Sequence, residues 1–298
     1  LFFDFSAVPS MSSKTESQME TNKAHMLSDK ELRNLQAVLL EMLLEIDRVC
    51  KKNGINYNLF MGTMLGAVRH GGFIPWDDDL DVAMLRSEYE RFREACRRDL
   101  DQSRFFYQDH TTDPHYRWGY ARIRRKDTEF VRLGQEHMKM RTGIFLDIFP
   151  MDSTPDFAPL RALHCFYCFV LRKLLYAEAG RKSGGTAALR AWYTLLNVAP
   201  HMWVFRRLEK LSRTRKKTDL VRILAFPLPR GRTFGYLWKW FEDLEDIKFE
   251  GYMFPSIKDY DGFLKFNYGD YMQLPPPEER MCCHPAAKFK LPPAAYPE

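Results

Sequence analysis

Four carboxylates fall within five positions of this chain, Asp77, Asp78, Asp79 and Asp81, and the residues on either side, Phe73-Ile74-Pro75-Trp76 and Val82-Ala83-Met84, are apolar. Like charges packed this closely raise one another's pKa or open the chain unless a cation bridges them. Leu80, Val82 and Met84 alternate with the acids, which predicts a strand from Asp77 to Met84. On such a strand Asp77, Asp79 and Asp81 share one face, about 7 Å from their i+2 neighbours, and Asp78 takes the other. An all-oxygen set suits hard Mg²⁺ or Mn²⁺, which keep coordination positions open for substrate phosphates. A later acid, Asp147, stands alone in the apolar run Phe145-Leu-Asp-Ile-Phe149 and needs a partner, because a buried unpaired carboxylate is costly. A metal held by Asp77, Asp79, Asp81 and Asp147 would supply one, with Asp77 as an additional or supporting ligand.

The rest of the chain reads as a folded α/β or α+β protein. Its 298 residues are 45% hydrophobic, enough for a sizeable core, and the net charge of +6 allows acidic partners without the surplus of a nucleic-acid packer. Six cysteines without regular spacing argue against a disulfide scaffold and fit a reducing compartment. The opening apolar run is too short, and lacks the basic flank, for a signal peptide or a span; residues 1–10, which precede Met11, read as an upstream extension. Residues 1–26 are expected to be a mobile tail.

A helix is predicted from Leu27 to Asn53-Gly54, opened by a Ser28/Glu31 capping box and carrying Leu32, Leu35, Leu39, Met42, Ile46 and Val49 on one face. Ile55–Met61 reads as a strand that Gly62-Thr63 breaks into a helical turn ending near Arg69-His70. A second capping box, Ser87 with Glu90, would open a helix to about Leu100. Phe105–Gln108, Tyr116–Arg125, Phe130–Leu133 and Gly143–Phe149 are the remaining strand candidates. The expected organisation is a catalytic core over 27–158, a basic helical insertion over 159–245, the rest of the core over 246–284 and a tail over 285–298.

Around the acids, Gly62 and Thr63 open a helical turn whose free amides could hold a phosphate. Arg122 and Arg124 share a strand face and suit phosphate oxygens, with Arg69 and Arg125 as further candidates and ordinary solvated charge as the alternative. His70 reads as a structural hydrogen-bonder. Cys165-x-x-Cys168 and Cys282-Cys283-His284 could assemble a zinc site, but buried small apolar side chains fit those thiols better. Eight basic residues between Arg206 and Arg222, preceded by Met202-Trp-Val-Phe205, read equally as a solvated helix face or as a peripheral contact with an anionic membrane through 202–222.

The Gly-Thr pair, the Asp79-x-Asp81 spacing and the third acid resemble the nucleotidyltransferase fold of DNA polymerase beta. The longer string from Gly62 through Ile74-Pro-Trp-Asp-Asp-Asp-Leu-Asp81 is similar to the LicD family of phosphocholine transferases, related to fukutin and fukutin-related protein. Ala121-Arg-Ile-Arg-Arg-Lys-Asp-Thr128 and Tyr268-Gly-Asp-Tyr-Met-Gln-Leu-Pro-Pro276 extend the resemblance from about residue 28 to 284. It implies a nucleotidyltransferase-like mixed sheet with flanking helices plus a helical insertion. It implies metal-dependent transfer of a phosphorylated alcohol, phosphocholine from CDP-choline foremost, to a hydroxyl of a cell-surface glycan such as lipopolysaccharide or teichoic acid. CDP-ribitol or CDP-glycerol as donor, or a nucleotidyltransferase using an NTP, are the alternatives, and no nucleic-acid partner is expected.

In that setting Asp79, Asp81 and Asp147 are the catalytic candidates, and Gly62, Thr63, Arg69, Arg122, Arg124 and Trp76 the substrate-binding ones. A choline head group needs aromatic faces, for which Trp76, Tyr116, Trp118, Tyr120, Tyr268 and Tyr271 are available. The expected location is cytoplasmic, with peripheral contact at the inner membrane face.

Overall fold

A computed structural model describes residues 25–213, 217–227, 234–281 and 284–293. The predicted tail over 1–26 lies almost wholly outside them. Helix α1 (Asp29–Asn53) is opened by the expected capping box, Ser28 accepting the Glu31 N–H and Glu31 accepting the Ser28 N–H. It is closed by Gly54 at φ 59°, in the left-handed region that glycine enters freely. Its apolar stripe is buried in the main core. Gln36, also on α1, donates its side-chain amide to the Asp77 carbonyl at 3.0 Å and so pins the acidic segment from below.

The central sheet places β1 (Asn58–Leu59), β2 (Asp81–Leu85), β6 (Phe145–Ser153), β4 (Ala121–Arg125) and β3 (Phe105–Gln108) side by side in that order. Strand β2 runs parallel to β6, and the other pairs are antiparallel. Two registers bring charged residues together on neighbouring strands: Asp81 lies beside Asp147 on one side, and Arg122 lies beside Asp147 on the other. Strand β6 is buried along eight of its nine residues, which is why it reads as a continuous apolar run rather than an alternating one.

Several predicted elements are redrawn. The acidic strand begins at Asp81, not Asp77, because Pro75 and Trp76 turn the chain and the Asp77 N–H donates to the Ile74 carbonyl at 2.9 Å. The strand expected over Ile55–Met61 shrinks to Asn58–Leu59, since Met61 enters the left-handed region (φ 46°) and starts α2 (Met61–His70). The second capping box does not form: α3 (Arg86–Asp99) follows β2 directly with Leu85 as its N-cap. Its first residue is fixed instead by a bidentate pair between Arg86 and the buried Asp152 of β6, at 2.6 and 2.8 Å.

The helical region comprises α4 (Ala158–Ser183), α5 (Ala187–Leu196) and α6 (His201–Ser212). Its small core joins Cys168, Leu171 and Leu175 to Val204, Phe205 and Leu208, closed by Leu224 and Ala225. Helical character ends at Ser212, and β7 (Leu220–Arg222) returns to the sheet by pairing with the end of β6. Strand β8 (Tyr236–Leu237) pairs with β7, and a hairpin of β9 (Leu244–Phe249) and β10 (Tyr252–Ile257) leads into α7 (Tyr260–Tyr268). Part of the expected C-terminal tail is ordered as β11 (Ala286–Lys290), antiparallel to β5 (Glu129–Arg132) and packed through Phe289 on Phe130.

Candidate active site

The acids gather where α2 begins, β2 begins and β6 passes between β2 and β4. Gly62 makes room for them: a Cβ at that position would stand 3.1 Å from Asp77 Oδ2. The start of a helix is also where a negative charge is stabilised by the backbone dipole. Thr63 has a different use from the expected phosphate contact, since its buried hydroxyl accepts the Asp81 N–H at 2.8 Å and so sets the first residue of β2. The turn before the acids is held from the far side. Glu250 accepts the Phe73 N–H at 2.9 Å, and its carboxylate fills the space a side chain at Gly72 would need.

The regular strand is missing over 77–80, yet the division of the four acids survives. Asp78 is turned into the protein, where His284 donates its backbone N–H to one carboxylate oxygen and lies 3.1 Å through Nδ1 from the other. Burial would raise its pKa, but His284 and the charge of Arg132 hold it below the ordinary value. Asp77, Asp79 and Asp81 face one another instead. Burial, then Asp79 and Asp78, push Asp77 up to about 8, and a hydrogen bond between Asp77 and Asp79 adds to the shift. Asp81 is raised by burial and by Asp79, Asp147 and Asp77. Asp79 is raised by burial, against the lowering pull of His284, whose Nδ1 lies 3.4 Å from it.

Asp147, the third acid of the expected triad, is engaged by Arg122. The guanidinium Nε lies 2.5 Å from Oδ1 and a second nitrogen 3.3 Å from Oδ2, both groups being buried. Arg122 is thus a partner of Asp147 rather than a solvent-facing phosphate ligand. Arg124 is engaged too, donating to Gln108 Oε1 at 2.7 Å and the Gly143 carbonyl at 2.6 Å. Arg125 pairs with Glu41 at 3.3 Å.

Among the described residues no three His, Cys, Asp or Glu side chains converge at metal-ligating distance. The donor chemistry nevertheless fits a hard divalent ion at Asp77, Asp79 and Asp81, all oxygen donors whose pKa values are raised by burial first and then by neighbouring carboxylates. Asp147 fits less directly while Arg122 occupies its oxygens.

The rim is formed by the end of α2 and the segment after α7. Arg69 donates to the Tyr271 carbonyl at 3.0 Å and to His70 Nε2, which acts as the structural acceptor its position suggested. Arg280 lies over the Trp76 ring at 5.6 Å. Tyr268 keeps 39% of its surface exposed, while burial of its hydroxyl and the charges of Asp81, Asp77 and Asp79 raise its pKa. Of the six aromatic residues weighed for a cation, Trp76 and Tyr268 remain at the acids. Tyr116 is fully buried with Met138 and Met140, Trp118 packs on Tyr176, Tyr120 packs on Phe149, and the Tyr271 hydroxyl is bonded to Asp261.

Arg132 and Gln36 were not among the predicted site residues, and His284 was weighed only for a zinc site with the cysteines. Gln36 carried a signal, as a polar residue next to the buried face of α1; His284 and Arg132 did not, because only the pairing of β11 with β5 brings them here. Cys282 and Cys283 lie outside the described residues, and Cys165 and Cys168 are buried free thiols, as their apolar surroundings led one to expect.

Between pH 3.8 and about 8 the folded protein holds a proton on Asp77 that the unfolded chain has released, so stability falls as pH rises through this window. Without divalent cations, the urea midpoint is therefore expected to drop from pH 5 to 8, and to drop less steeply in Asp77→Asn. Equal slopes for the two proteins would contradict the assignment.

Residues 54–159, which contain the acids, Arg122 and Asp147, match the family described as LicD/FKTN/FKRP, nucleotidyltransferase domain. Along most of its length the chain is similar to the lipopolysaccharide cholinephosphotransferase LicD of Haemophilus influenzae, with 28% identity over 267 residues, 85% of this chain and 96% of that protein. Shorter matches link it to uncharacterised proteins of Rickettsia typhi, 35% identical over 72 residues, and Rickettsia prowazekii, 42% identical over 50. These cover 24% and 17% of this chain, and 22% and 19% of those proteins. The domain match thus takes in the acids, Arg122 and Asp147, and the longer similarity runs on through the rim.

Proposed function

We propose that this protein transfers phosphocholine from CDP-choline to a hydroxyl of a cell-surface glycan, releasing CMP. The observation that carries the reading is the half-buried trio Asp77, Asp79 and Asp81 near the start of α2, in a chain that aligns with 96% of a cholinephosphotransferase. Mg²⁺ or Mn²⁺ bound by these acids would supply the positive charge that offsets both their repulsion and the pyrophosphate of the donor. In the reaction the acceptor oxygen attacks the phosphorus bearing choline, and the bond from that phosphorus to the CMP oxygen breaks.

The chain's own residues support this chemistry in three ways. Asp147, held in one orientation by Arg122, is the candidate acceptor for the hydroxyl proton. Thr63 and Gln36 fix the backbone at Asp81 and Asp77, so the acids are placed before substrate arrives. Tyr268 offers a partly exposed ring near the carboxylates, and Trp76 a ring on which the Arg280 cation already lies, which suits a quaternary ammonium better than a polyol.

Contact with a membrane is the second part of the proposal. Among the described residues no helix is long and apolar enough to cross one. The contact expected over 202–222 moves, because α6 ends at Ser212 and Arg222 is buried in the sheet. Exposed apolar side chains occur along the start of α4, at Phe157, Leu160, Leu163 and Phe166, and at the α5–α6 corner, where Trp192, Leu195, Val198, Met202 and Trp203 are joined by exposed Arg190, Arg206, Arg207 and Lys210. This corner is the surface we assign to an anionic bilayer, with the reaction on its cytoplasmic face.

Purified protein with Mg²⁺ or Mn²⁺ is expected to release CMP from CDP-choline in the presence of extracted glycan, and Asp79→Asn or Asp81→Asn to lower the rate by at least about 100-fold. Release of pyrophosphate from an NTP, or CMP from CDP-ribitol or CDP-glycerol alone, would replace this reading. Vesicles rich in anionic lipid should co-sediment the protein and lose it on Trp203→Glu combined with Leu195→Glu; unchanged sedimentation would remove the membrane assignment.

A further inference from the structure

Three guanidiniums lie against one aromatic ring. The carbon of Arg122 is 4.1 Å from the centre of Phe145, that of Arg132 is 4.8 Å and that of Arg124 is 5.0 Å. Phe145 is two residues before Asp147 on β6, so this platform borders the acids. Arg122 is bonded to Asp147, and Arg124 to Gln108 and Gly143. Arg132 differs: its Nε is buried and has no hydrogen-bond acceptor. A buried donor without an acceptor is destabilising, and the face of a ring attracts the charge without satisfying the N–H.

The backbone around Arg132 is nonetheless tightly placed. Arg132 stands opposite Ala286 in the β5–β11 pair, and the next residue, Leu133, donates its N–H to the Pro285 carbonyl at 2.9 Å. His284 is the neighbour of Pro285 on the same segment, with its backbone N–H and ring on Asp78 and its ring near Asp79. The β5–β11 ribbon therefore delivers a guanidinium with an unsatisfied Nε and a carboxylate-orienting imidazole to the acids together. Its second strand lies outside residues 54–159, the extent of the family domain. The charge of Arg132 also lowers the pKa of Asp78 and Asp79, in keeping with this placement.

We infer that Arg132 is a substrate-binding residue of this site, its guanidinium donating to the oxygens of the donor's pyrophosphate, and that His284 is the positioning residue that orients Asp78 and Asp79 beneath it. The assignment rests on the reading of these acids as the donor site. A phosphate oxygen would satisfy the orphaned Nε, and the planar guanidinium can engage two oxygens at once. The neighbouring guanidiniums of Arg69 and Arg280 already have backbone carbonyls, of Tyr271 and Pro275.

The test uses the full chain and inorganic pyrophosphate with Mg²⁺, titrated by calorimetry, so that neither the nucleoside nor the head group enters. Wild type is expected to bind, Arg132→Gln to bind at least about tenfold more weakly, Arg132→Lys to fall between, and Lys290→Gln, on the exposed end of β11, to match wild type. Thermal melting of each variant separates lost contact from lost fold, and if Arg132→Gln melts early, Arg132→Lys decides. His284→Ala should weaken pyrophosphate binding and His284→Asn should restore it, because the amide places a donor near the Nδ1 position. Arg132→Gln binding as wild type does, or no binding by wild type, overturns the inference. Binding that depends on Arg132 in a protein that never turns over CDP-choline would leave the inference standing and remove the donor instead. Turnover of CDP-choline with KM unchanged in Arg132→Gln would remove Arg132 alone.

Discussion

Repulsion among Asp77, Asp79 and Asp81 is the constraint around which the rest of the structure is arranged. Three half-buried carboxylates brought together are held above the ordinary carboxylate pKa range unless positive charge stands opposite, and the fold supplies only part of it. The start of α2 contributes its dipole, and Arg132 contributes a charge from the β5–β11 ribbon. What remains is a site that favours a proton, and that under the proposed function would take a divalent ion in its place. A strongly negative, partly uncompensated cluster is a poor place for a phosphate without such an ion, so in the proposed function cation and donor would be linked by electrostatics.

The other buried acids show the contrast. Asp147 has Arg122, Asp152 has Arg86 and Asp78 has His284, each with at least two polar contacts. These pairs also join elements: Arg122–Asp147 ties β4 to β6, Arg86–Asp152 ties α3 to β6, and His284–Asp78 ties the last strand to the acidic turn. Removing one member of such a buried pair costs about 3–5 kcal/mol, because the survivor is left charged and dry. The fold thus gives Asp147, Asp152 and Asp78 partners of their own and leaves undercompensated the three acids assigned to the cation.

Much of this is legible in the residues. Asp147 in its apolar strand and the capping box of α1 are local signals, and each appears where the sequence places it. Over 77–80 the sequence misleads, because alternation of acids with Leu80 mimics a pleat, while Pro75 and the Asp77–Ile74 hydrogen bond impose a turn. Arg122 and Arg124 are recognisable as residues sharing a face, but the register that puts Arg122 against Asp147 is a long-range property. His284 and Arg132 depend on pairing between segments more than 150 residues apart, and a Pro- and Ala-rich C-terminal segment gives no local hint of a strand. The aromatic candidates divide by packing: Tyr116 and Tyr120 are core, and burial of that kind cannot be read from residue type.

Crystals soaked with Mn²⁺ and CDP-choline, with anomalous scattering recorded at the manganese edge, test the role of the acidic trio most directly. The expected result is an anomalous peak about 2.2 Å from carboxylate oxygens of Asp79 and Asp81, with Asp77 adjacent and the donor phosphates on the open side. Ordered CDP-choline with no metal at these acids, or a manganese peak bound only elsewhere on the protein, would contradict it.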